Sequence, residues 1–313
     1  MNGGLKGLKE PPLKLIMFGG KGGVGKTTCA CGTALYLAQD FETLLFSTDP
    51  AHSLADSLGQ KLGDQPKEIK GIKNLSALEI NAEKALSKFK LEHEDEIKKI
   101  VETGTNLDVE DIDSVFALPI PGMDEVMGFK TMIDLVDQAK FDKYVVDTAP
   151  TGHALRLLTS SGLLDDWVKV MAKMRWKYRY MVERFAGKYN PDEGDDFLLT
   201  MKKTVKRIEN LLRDPGRSEF IAVTTPQDMA ILETERLINS LGKYGIKVRQ
   251  LVINNVLESD GCKFCREKRK EQDNYINYIR GKFDGLKVTI VPSCPHEIKG
   301  LKTLAHFKEQ LFN

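Results

Sequence analysis

Short apolar runs recur along the chain, and segments with apolar residues at helical spacing separate most of them. Runs of this kind without polar alternation are typical of strands buried on both faces. Strands that alternate with helices predict a parallel sheet covered by helices on both sides. The predicted strands are Leu13–Phe18, Thr43–Ser47, Leu75–Ile80, Tyr144–Val146, Phe220–Thr224, Gln250–Ile253 and Val288–Val291. We therefore predict an α/β fold with a doubly wound, mostly parallel sheet.

The glycine-rich sequence GKGGVGKTT at Gly20–Thr28 follows the first predicted strand and leads into a predicted helix, Thr28–Gln39. A strand, a loop of this spacing and a helix form a P-loop, whose backbone N–H groups surround a phosphate. Lys26 is predicted to reach the β- and γ-phosphates, and the Thr27 hydroxyl to bind Mg²⁺. The predicted nucleotide contacts in this loop are Gly20, Lys21, Gly22, Gly23, Val24, Gly25, Lys26, Thr27 and Thr28. The chain is therefore predicted to bind a nucleoside triphosphate.

Lys21 is a second lysine in a loop that needs only one. It could be an ordinary solvated charge. The alternative is a lysine that reaches the phosphates bound to a facing subunit, acting in trans as an arginine finger does in other nucleotide hydrolases.

Two more predicted strands lead into an aspartate, Asp49 after Thr43–Ser47 and Asp147 directly after Tyr144–Val146. A carboxylate at a strand tip near a P-loop can orient the attacking water or join the Mg²⁺ shell. The apolar strand before Asp147 has the Walker B pattern, so Asp147 is predicted to hold Mg²⁺. Asp49 could instead cap the helix that follows it.

Two long helical stretches do not fit a simple alternation of strands and helices. One covers residues 81–130 and begins with the Lys/Glu-rich amphipathic segment Glu83–Glu102, and the other covers residues 163–213. We predict that together they form an inserted helical subdomain. The P-loop ATPase domain would then consist of residues 1–80, 131–162 and 214–313.

Composition narrows the functional classes. The 313 residues have a net charge of +1, so no overall field favours nucleic acid or an anionic membrane. Residues 1–14 are polar and no run of 18 apolar residues occurs, so we expect neither a signal peptide nor a membrane-spanning helix. Five cysteines, an odd number, fit a reducing compartment. We expect a soluble, cytoplasmic protein.

Cys262 and Cys265 have the CxxC spacing of half a tetrahedral zinc site. The chain offers no second CxxC and no suitable histidine pair. Two copies meeting on a two-fold axis would supply four thiolates from identical halves. A redox dithiol and a plain surface pair are the alternatives.

Methionine is concentrated in the predicted helical subdomain, at Met123, Met127, Met132, Met171, Met174 and Met181. Flexible methionine side chains suit a groove that accepts apolar helices of many sequences. An apolar face at helical spacing is formed by Trp167, Val170, Met171, Met174 and Tyr178. An ordinary core face has the same spacing, so the pattern alone leaves a core and a binding groove open.

Taken together, the motifs resemble the arsenite-pump ATPase family, which has a deviant Walker A loop, and within it the ATPases that target tail-anchored proteins. The resemblance extends from Lys14 to Phe307 and has its motifs in the expected order. Besides GKGGVGKTT, these are DPAHSL at Asp49–Leu54, DTAPTGHALRLL at Asp147–Leu158, ETERL at Glu233–Leu237, CKFC at Cys262–Cys265 and HEIKGLKTL at His296–Leu304.

This resemblance implies roles for single residues. Lys21 is similar to the family's intermonomer lysine, and Asp49 to the aspartate that polarises the hydrolytic water. Asn254 corresponds to the asparagine that reads adenine, and Pro292 begins the loop that borders the base. Gln227 stands where some relatives have a glutamate near the partner's nucleotide. The residues expected to take part in hydrolysis are Lys21, Lys26 and Asp49.

The resemblance also implies an ATP- and Mg²⁺-dependent homodimer, or a tetramer with a bound client, that chaperones tail-anchored proteins. One zinc ion would be shared between two subunits. The helical subdomain would form an apolar groove for the client's transmembrane helix, with transient association with a membrane receptor.

Two other functions share parts of this pattern. A metalloid-stimulated ATPase of an arsenite efflux pump needs thiols near the nucleotide and usually two fused halves, whereas this chain has one half. A partitioning ATPase shares the P-loop but explains neither the cysteine pair nor the helical insert.

Overall fold

A computed structural model describes residues 5–48, 53–104, 123–148, 151–258 and 262–312, and only the backbone of 103–104, 123–126 and 151–167. The chain divides into two compact units. The sheet unit contains Met1–Asn81, Asp134–Leu155 and Leu211–Asn313, and the helical unit contains Ala82–Ile133 and Arg156–Asn210. Our division into an ATPase domain and a client-binding subdomain stays a prediction, because compactness alone assigns no role to either unit.

The sheet has eight strands among the described residues, in the order β3-β4-β2-β5-β1-β6-β7-β8. All neighbours are parallel except the short edge strand β3, which is antiparallel to β4. The strands are β1 (Leu15–Gly19), β2 (Thr43–Ser47), β3 (Lys67–Glu68), β4 (Leu75–Glu79), β5 (Lys143–Asp147), β6 (Ser218–Thr224), β7 (Val248–Val256) and β8 (Lys287–Pro292). The predicted fold class and its seven strands are confirmed. Strand β3 has no apolar run, and for that reason the pattern missed it.

Helices connect most of these strands and also form the insert. They are α1 (Lys26–Leu37), α2 (Ser53–Leu58), α3 (Ala82–Glu92), α4 (Glu94–Gly104), α5 (Met123–Asp137), α6 (Thr151–Ala186), α7 (Glu193–Arg213), α8 (Asp228–Lys243), α9 (Lys263–Lys282) and α10 (Leu301–Phe312). A short 3-10 helix, Leu5–Lys9, precedes β1. In the described part of the chain, none of the helices is both long and apolar enough to cross a membrane.

The core of the sheet unit lies around its central strands. Every residue of β1, β2, β5 and β6 is buried, as expected for strands without polar alternation. Helix α1 packs against α10, where the Tyr36 and Phe312 rings stack with centroids 3.8 Å apart. This packing fixes the helix that follows the P-loop.

The helical unit has its own apolar core. Side chains from α3, α4, α5, α6 and α7 contribute to it, and it includes Phe89, Ile97, Ile100, Met127, Val168, Met171, Phe197, Leu198, Met201 and Val205. A charged cluster joins α6 to α7, because buried Arg175 forms ion pairs with Asp192 and Asp195.

Candidate functional site

The P-loop occupies the turn between β1 and α1. Gly25 precedes the helix with a φ of 96°, and Gly23 has a φ of 80°. Both values lie in the left-handed region that glycine adopts without strain. At Gly20 a Cβ would lie 2.1 Å from the Val223 carbonyl oxygen, so the loop passes directly against β6. Gly23 and Gly25 are thus required by their backbone conformation, and Gly20 by its close approach to β6.

Asn254 supports this loop from β7. Its buried side-chain amide donates a hydrogen bond to the Val24 carbonyl oxygen, N···O 2.9 Å. A Cβ on Gly25 would lie 2.3 Å from the same Asn254 nitrogen. The contact belongs to the P-loop backbone. The adenine-reading role that the resemblance implies stays a prediction.

The two loop lysines have different surroundings. Lys26 is the first residue of α1, and its buried side chain donates from Nζ to the Lys21 carbonyl oxygen at 3.2 Å. Lys21 extends toward α8, where its Nζ lies 3.4 Å from Oε1 of Glu233. The Lys26 ammonium thus lies within the loop, as expected of a phosphate ligand, whereas the Lys21 ammonium lies against a neighbouring helix.

Thr27 and Asp147 meet at the carboxyl ends of β1 and β5. The Thr27 hydroxyl donates to Oδ2 of the buried Asp147 carboxylate at 2.7 Å, and the Ser53 hydroxyl lies 3.3 Å from Oγ1 of Thr27. Parallel pairing of Phe18 with Asp147 brings the strand tip beside the P-loop. Hydroxyl and carboxylate oxygens are the ligands that Mg²⁺ prefers, so this donor set fits the predicted Mg²⁺ site.

Thr148 ties the loop after β5 to the P-loop strand. Its hydroxyl and its backbone N–H donate to the Phe18 carbonyl oxygen at 2.7 and 3.2 Å. The predicted hydrolytic residue Asp49 and residues 149–150 of the DTAPTGH segment lie outside the described residues. Their roles stay predictions.

Gln227 follows β6 and Pro292 ends β8, two strands of the same half of the sheet. Gln227 is exposed and precedes α8, the helix that carries Glu233. Pro292 ends β8 and pairs with Val256 of β7. Both lie at the carboxyl edge of the sheet, where ligands bind in folds of this kind.

Cys262 and Cys265 lie at the start of α9, with their sulfur atoms 3.6 Å apart. The backbone N–H and the thiol of Cys265 lower the pKa of the Cys262 thiol, while that contact raises the pKa of Cys265. Two thiolates on one tetrahedral zinc lie about 3.8 Å apart, since each Zn–S bond is about 2.3 Å. The pair fits half a zinc site. Within the described residues, no group of three or more metal-binding side chains comes together.

The residues predicted to bind a client are divided by burial. Met127, Met132 and Met171 are buried, and Met174 is partly buried against the same core. Tyr178 is partly buried, and its ring lies against Arg175. Of the described side chains in this set, Val170 and Met181 are exposed, while those of Met123 and Trp167 lie outside the described part.

Other exposed apolar side chains of the helical unit were not predicted. They are Leu91, Trp176, Tyr180, Phe185 and Leu199. Neither the methionine pattern nor the single predicted helical face includes them, and Trp176 and Tyr180 alternate with basic residues in the sequence.

Four more residues that contact the P-loop or the elements beside it were missed, namely Ser53, Glu79, Thr148 and Glu233. Glu79 accepts a hydrogen bond from the Ala55 backbone N–H at 3.0 Å, which fixes the start of α2. Ser53 and Glu233 stand inside the DPAHSL and ETERL motifs, so a search of those motifs for polar side chains could have found them.

Comparison with known proteins gives a consistent picture. The family described as "Anion-transporting ATPase" matches residues 13–313. The chain is 37% identical to "ATPase ASNA1 homolog 2" of Paramecium tetraurelia, covering 97% of this chain and 95% of that protein. It is 32% identical to "ATPase get3" of Neurospora crassa, covering 97% and 92% of the two chains. The match with "ATPase asna-1" of Caenorhabditis elegans is also 32% identical, with 97% and 94% covered.

Proposed function

This chain belongs to the anion-transporting ATPase family, and from that premise we propose that it is a homodimeric ATPase that binds the transmembrane helix of tail-anchored proteins and delivers them to a membrane. It is an enzyme that hydrolyses ATP. The observation that carries the chaperone role is a helical unit that exposes large apolar side chains in the same chain as a P-loop.

Hydrolysis adds water to the γ-phosphorus and breaks its bond to the oxygen bridging the β-phosphate. Lys26 and the P-loop N–H groups would stabilise the charge on the phosphate oxygens, with Thr27 and Asp147 holding Mg²⁺. The metal would neutralise charge on the β- and γ-phosphates. Asp49 would orient the attacking water and accept its proton.

The apolar surface of the helical unit suits a hydrophobic helix. Trp176 and Leu199 are 65% and 51% exposed, on α6 and α7, and line a shallow groove of about 280 Å³ together with Val168 and Leu198. Its charged lining residues are Arg175, Arg179, Asp195 and Lys202. Exposed contiguous apolar surface with a polar rim is typical of interaction sites.

A client helix is much larger than this groove. A membrane-spanning helix is about 30 Å long and about 10 Å wide, a volume of roughly 2,000 Å³. The groove of about 280 Å³ would receive only some of the helix's side chains. A second copy would cover more of the client's surface, in line with the proposed homodimer. ATP bound between facing copies would favour the arrangement in which both copies cover the client. Hydrolysis would weaken that arrangement and release the client.

The thiols near the nucleotide argue against arsenite binding. Cys29 and Cys31, in the helix after the P-loop, are fully buried, and burial raises the pKa of both. Metalloid binding needs accessible, readily deprotonated thiols. The efflux-pump alternative therefore loses the feature it depends on.

The test is co-expression with a protein that ends in a transmembrane helix, followed by size-exclusion chromatography. We expect a complex that elutes in the soluble fraction. The double variant Trp176→Asp/Leu199→Asp should lose most of the bound client, because two charges would have to be buried against an apolar helix.

The matched control is Leu91→Asp, since Leu91 is 76% exposed on α3 of the same unit but lies outside the groove. It should retain the client. If the double variant retains as much client as Leu91→Asp, the groove is not the client site. No complex with the unaltered protein, together with ATP turnover that rises on adding arsenite, would replace the chaperone proposal by the efflux-pump function.

A further inference from the structure

The ETERL motif places a carboxylate beside the P-loop. Glu233 lies in the second turn of α8, and its Oε1 is 3.4 Å from Nζ of Lys21. Both side chains are partly exposed, 35% for Lys21 and 26% for Glu233. The pair joins two sequence motifs within the sheet unit.

The fold fixes this meeting. Strands β1 and β6 are parallel neighbours, with Gly19 opposite Ala222, so the segments after them leave the sheet side by side. Thr234 and Leu237 of the motif are buried, and the Thr234 hydroxyl donates to the Ala230 carbonyl oxygen at 2.8 Å. The buried face of α8 thus sets the direction in which Glu233 points.

We propose that Glu233 is the positioning residue for Lys21. It holds the ammonium on its own subunit until phosphate oxygens on a facing copy take its place. This proposal rests on the proposed function, in which Lys21 acts across a homodimer.

The chemistry of the pair suits such an exchange. A lysine that serves a facing subunit has to stay off the phosphates in its own P-loop, and an ion pair with α8 directs it away from Lys26. A partly exposed lysine–carboxylate pair is weak because water screens it. Triphosphate oxygens carry a higher charge, so they can displace the carboxylate when a second copy brings them close.

Glu233→Gln tests the proposal, because it keeps the side-chain shape and removes the charge. With the ion pair weakened, Lys21 is more available to the facing nucleotide. We expect half-maximal ATPase activity at a protein concentration about two- to fivefold lower, the range of an exposed ion pair. The measurement is ATP turnover across a dilution series of the protein.

Glu235→Gln is the matched control. Glu235 stands in the same motif, and its carboxylate pairs with Lys282 at 2.8 Å instead of with the P-loop. This variant should leave the concentration dependence unchanged. Glu233→Asp is one methylene shorter and keeps the charge. It should lower the protein concentration at half-maximal activity by less than Glu233→Gln does. It replaces Glu233→Gln as the test if that variant unfolds.

Lys21→Met separates this proposal from the dimer mechanism. We expect Lys21→Met to lose most activity, and Glu233→Gln to add no change in that background. If Lys21→Met is fully active with unchanged concentration dependence, the trans role of Lys21 fails and the Glu233 proposal fails with it. If Lys21→Met is inactive but Glu233→Gln matches Glu235→Gln or raises the midpoint, the Glu233 proposal alone is wrong.

Discussion

At Gly25 the P-loop turns into helix α1 with a φ of 96°, and a Cβ there would lie 2.3 Å from the Asn254 amide nitrogen. An L-residue with a side chain rarely adopts this backbone region, and the Asn254 amide is itself held by the Val24 carbonyl. Conformation and space therefore both require glycine.

Gly25→Ala should weaken ATP binding by about tenfold or more, since a shift of about 1.4 kcal/mol is already tenfold and the strain of such a position is of that size. Titration with a fluorescent ATP analogue measures it. Gly242→Ala is the control, because Gly242 is outside the loop and a Cβ there would meet open space. Equal affinity for the two variants would contradict this account.

The motif spacing predicted some residues of the site and not others. The spacing predicted Lys26, Thr27 and Asp147, and the structure brings Thr27 and Asp147 into hydrogen-bond contact. It did not predict Glu233 or Asn254 as neighbours of the loop, because those contacts depend on the order of β1, β6 and β7 in the sheet.

Among the elements, the N-terminal 3-10 helix Leu5–Lys9 is held by a buried lysine. Lys143, the first residue of β5, donates from Nζ to the carbonyl oxygens of Leu8, Lys9 and Leu13 at 3.0, 3.2 and 2.7 Å. Leu5 and Leu8 are fully buried in the sheet unit's core. The lysine thus anchors a terminal segment that no repeating pattern predicted.

Lys143→Met should lower the free energy of unfolding by about 1–3 kcal/mol, because buried carbonyl oxygens would lose their donor. Urea unfolding measures the difference. Burial also lowers the pKa of Lys143 below its ordinary 10.5. Between the lowered pKa and 10.5, Lys143 keeps its proton in the unfolded chain but loses it in the folded one. The native protein therefore gains stability with rising pH relative to the variant. The deficit of Lys143→Met should therefore grow toward alkaline pH.

The control for Lys143→Met is Lys140→Met, three residues earlier and exposed. It should change the unfolding free energy by less than about 0.5 kcal/mol, as surface substitutions do. Equal effects of both variants would show that the buried hydrogen bonds of Lys143 contribute little.

The helical elements also show what the hydrophobic pattern of the sequence does not predict. The amphipathic segment Glu83–Glu102 forms two consecutive helices, α3 and α4, separated at His93. The His93 ring packs between Phe89 and Phe197, with centroids 4.9 Å from each. Phe197 is distant in sequence, so the packing at this point depends on α7 and not on the segment alone.

For the whole molecule, the cysteine pair is the feature that concerns assembly. Cys262 and Cys265 provide two sulfur atoms 3.6 Å apart at the exposed start of α9. Because a closed zinc site needs four ligands, we propose that a second copy supplies the other two.

Cys262→Ser/Cys265→Ser should abolish binding of one zinc per two chains and shift the protein toward the monomer. Metal analysis and analytical ultracentrifugation measure the two effects. Cys294→Ser is the control, since Cys294 lies away from the pair and contacts Gln310. A zinc-free dimer in the unaltered protein would contradict the shared site and leave the redox dithiol and the plain surface pair as the alternatives.

The sequence by itself determined the sheet and the P-loop. Buried strands have continuous apolar runs and a phosphate loop needs glycines at set positions, both of which are local requirements. Tertiary structure alone decided which apolar side chains stay exposed. The methionines at 127, 132 and 171 are buried, whereas Trp176 and Leu199 are exposed. Helical spacing defines a face, but the neighbouring helices decide whether that face is covered. The partners of Lys21 and Lys143 likewise depend on strand order and on chain segments far away in sequence.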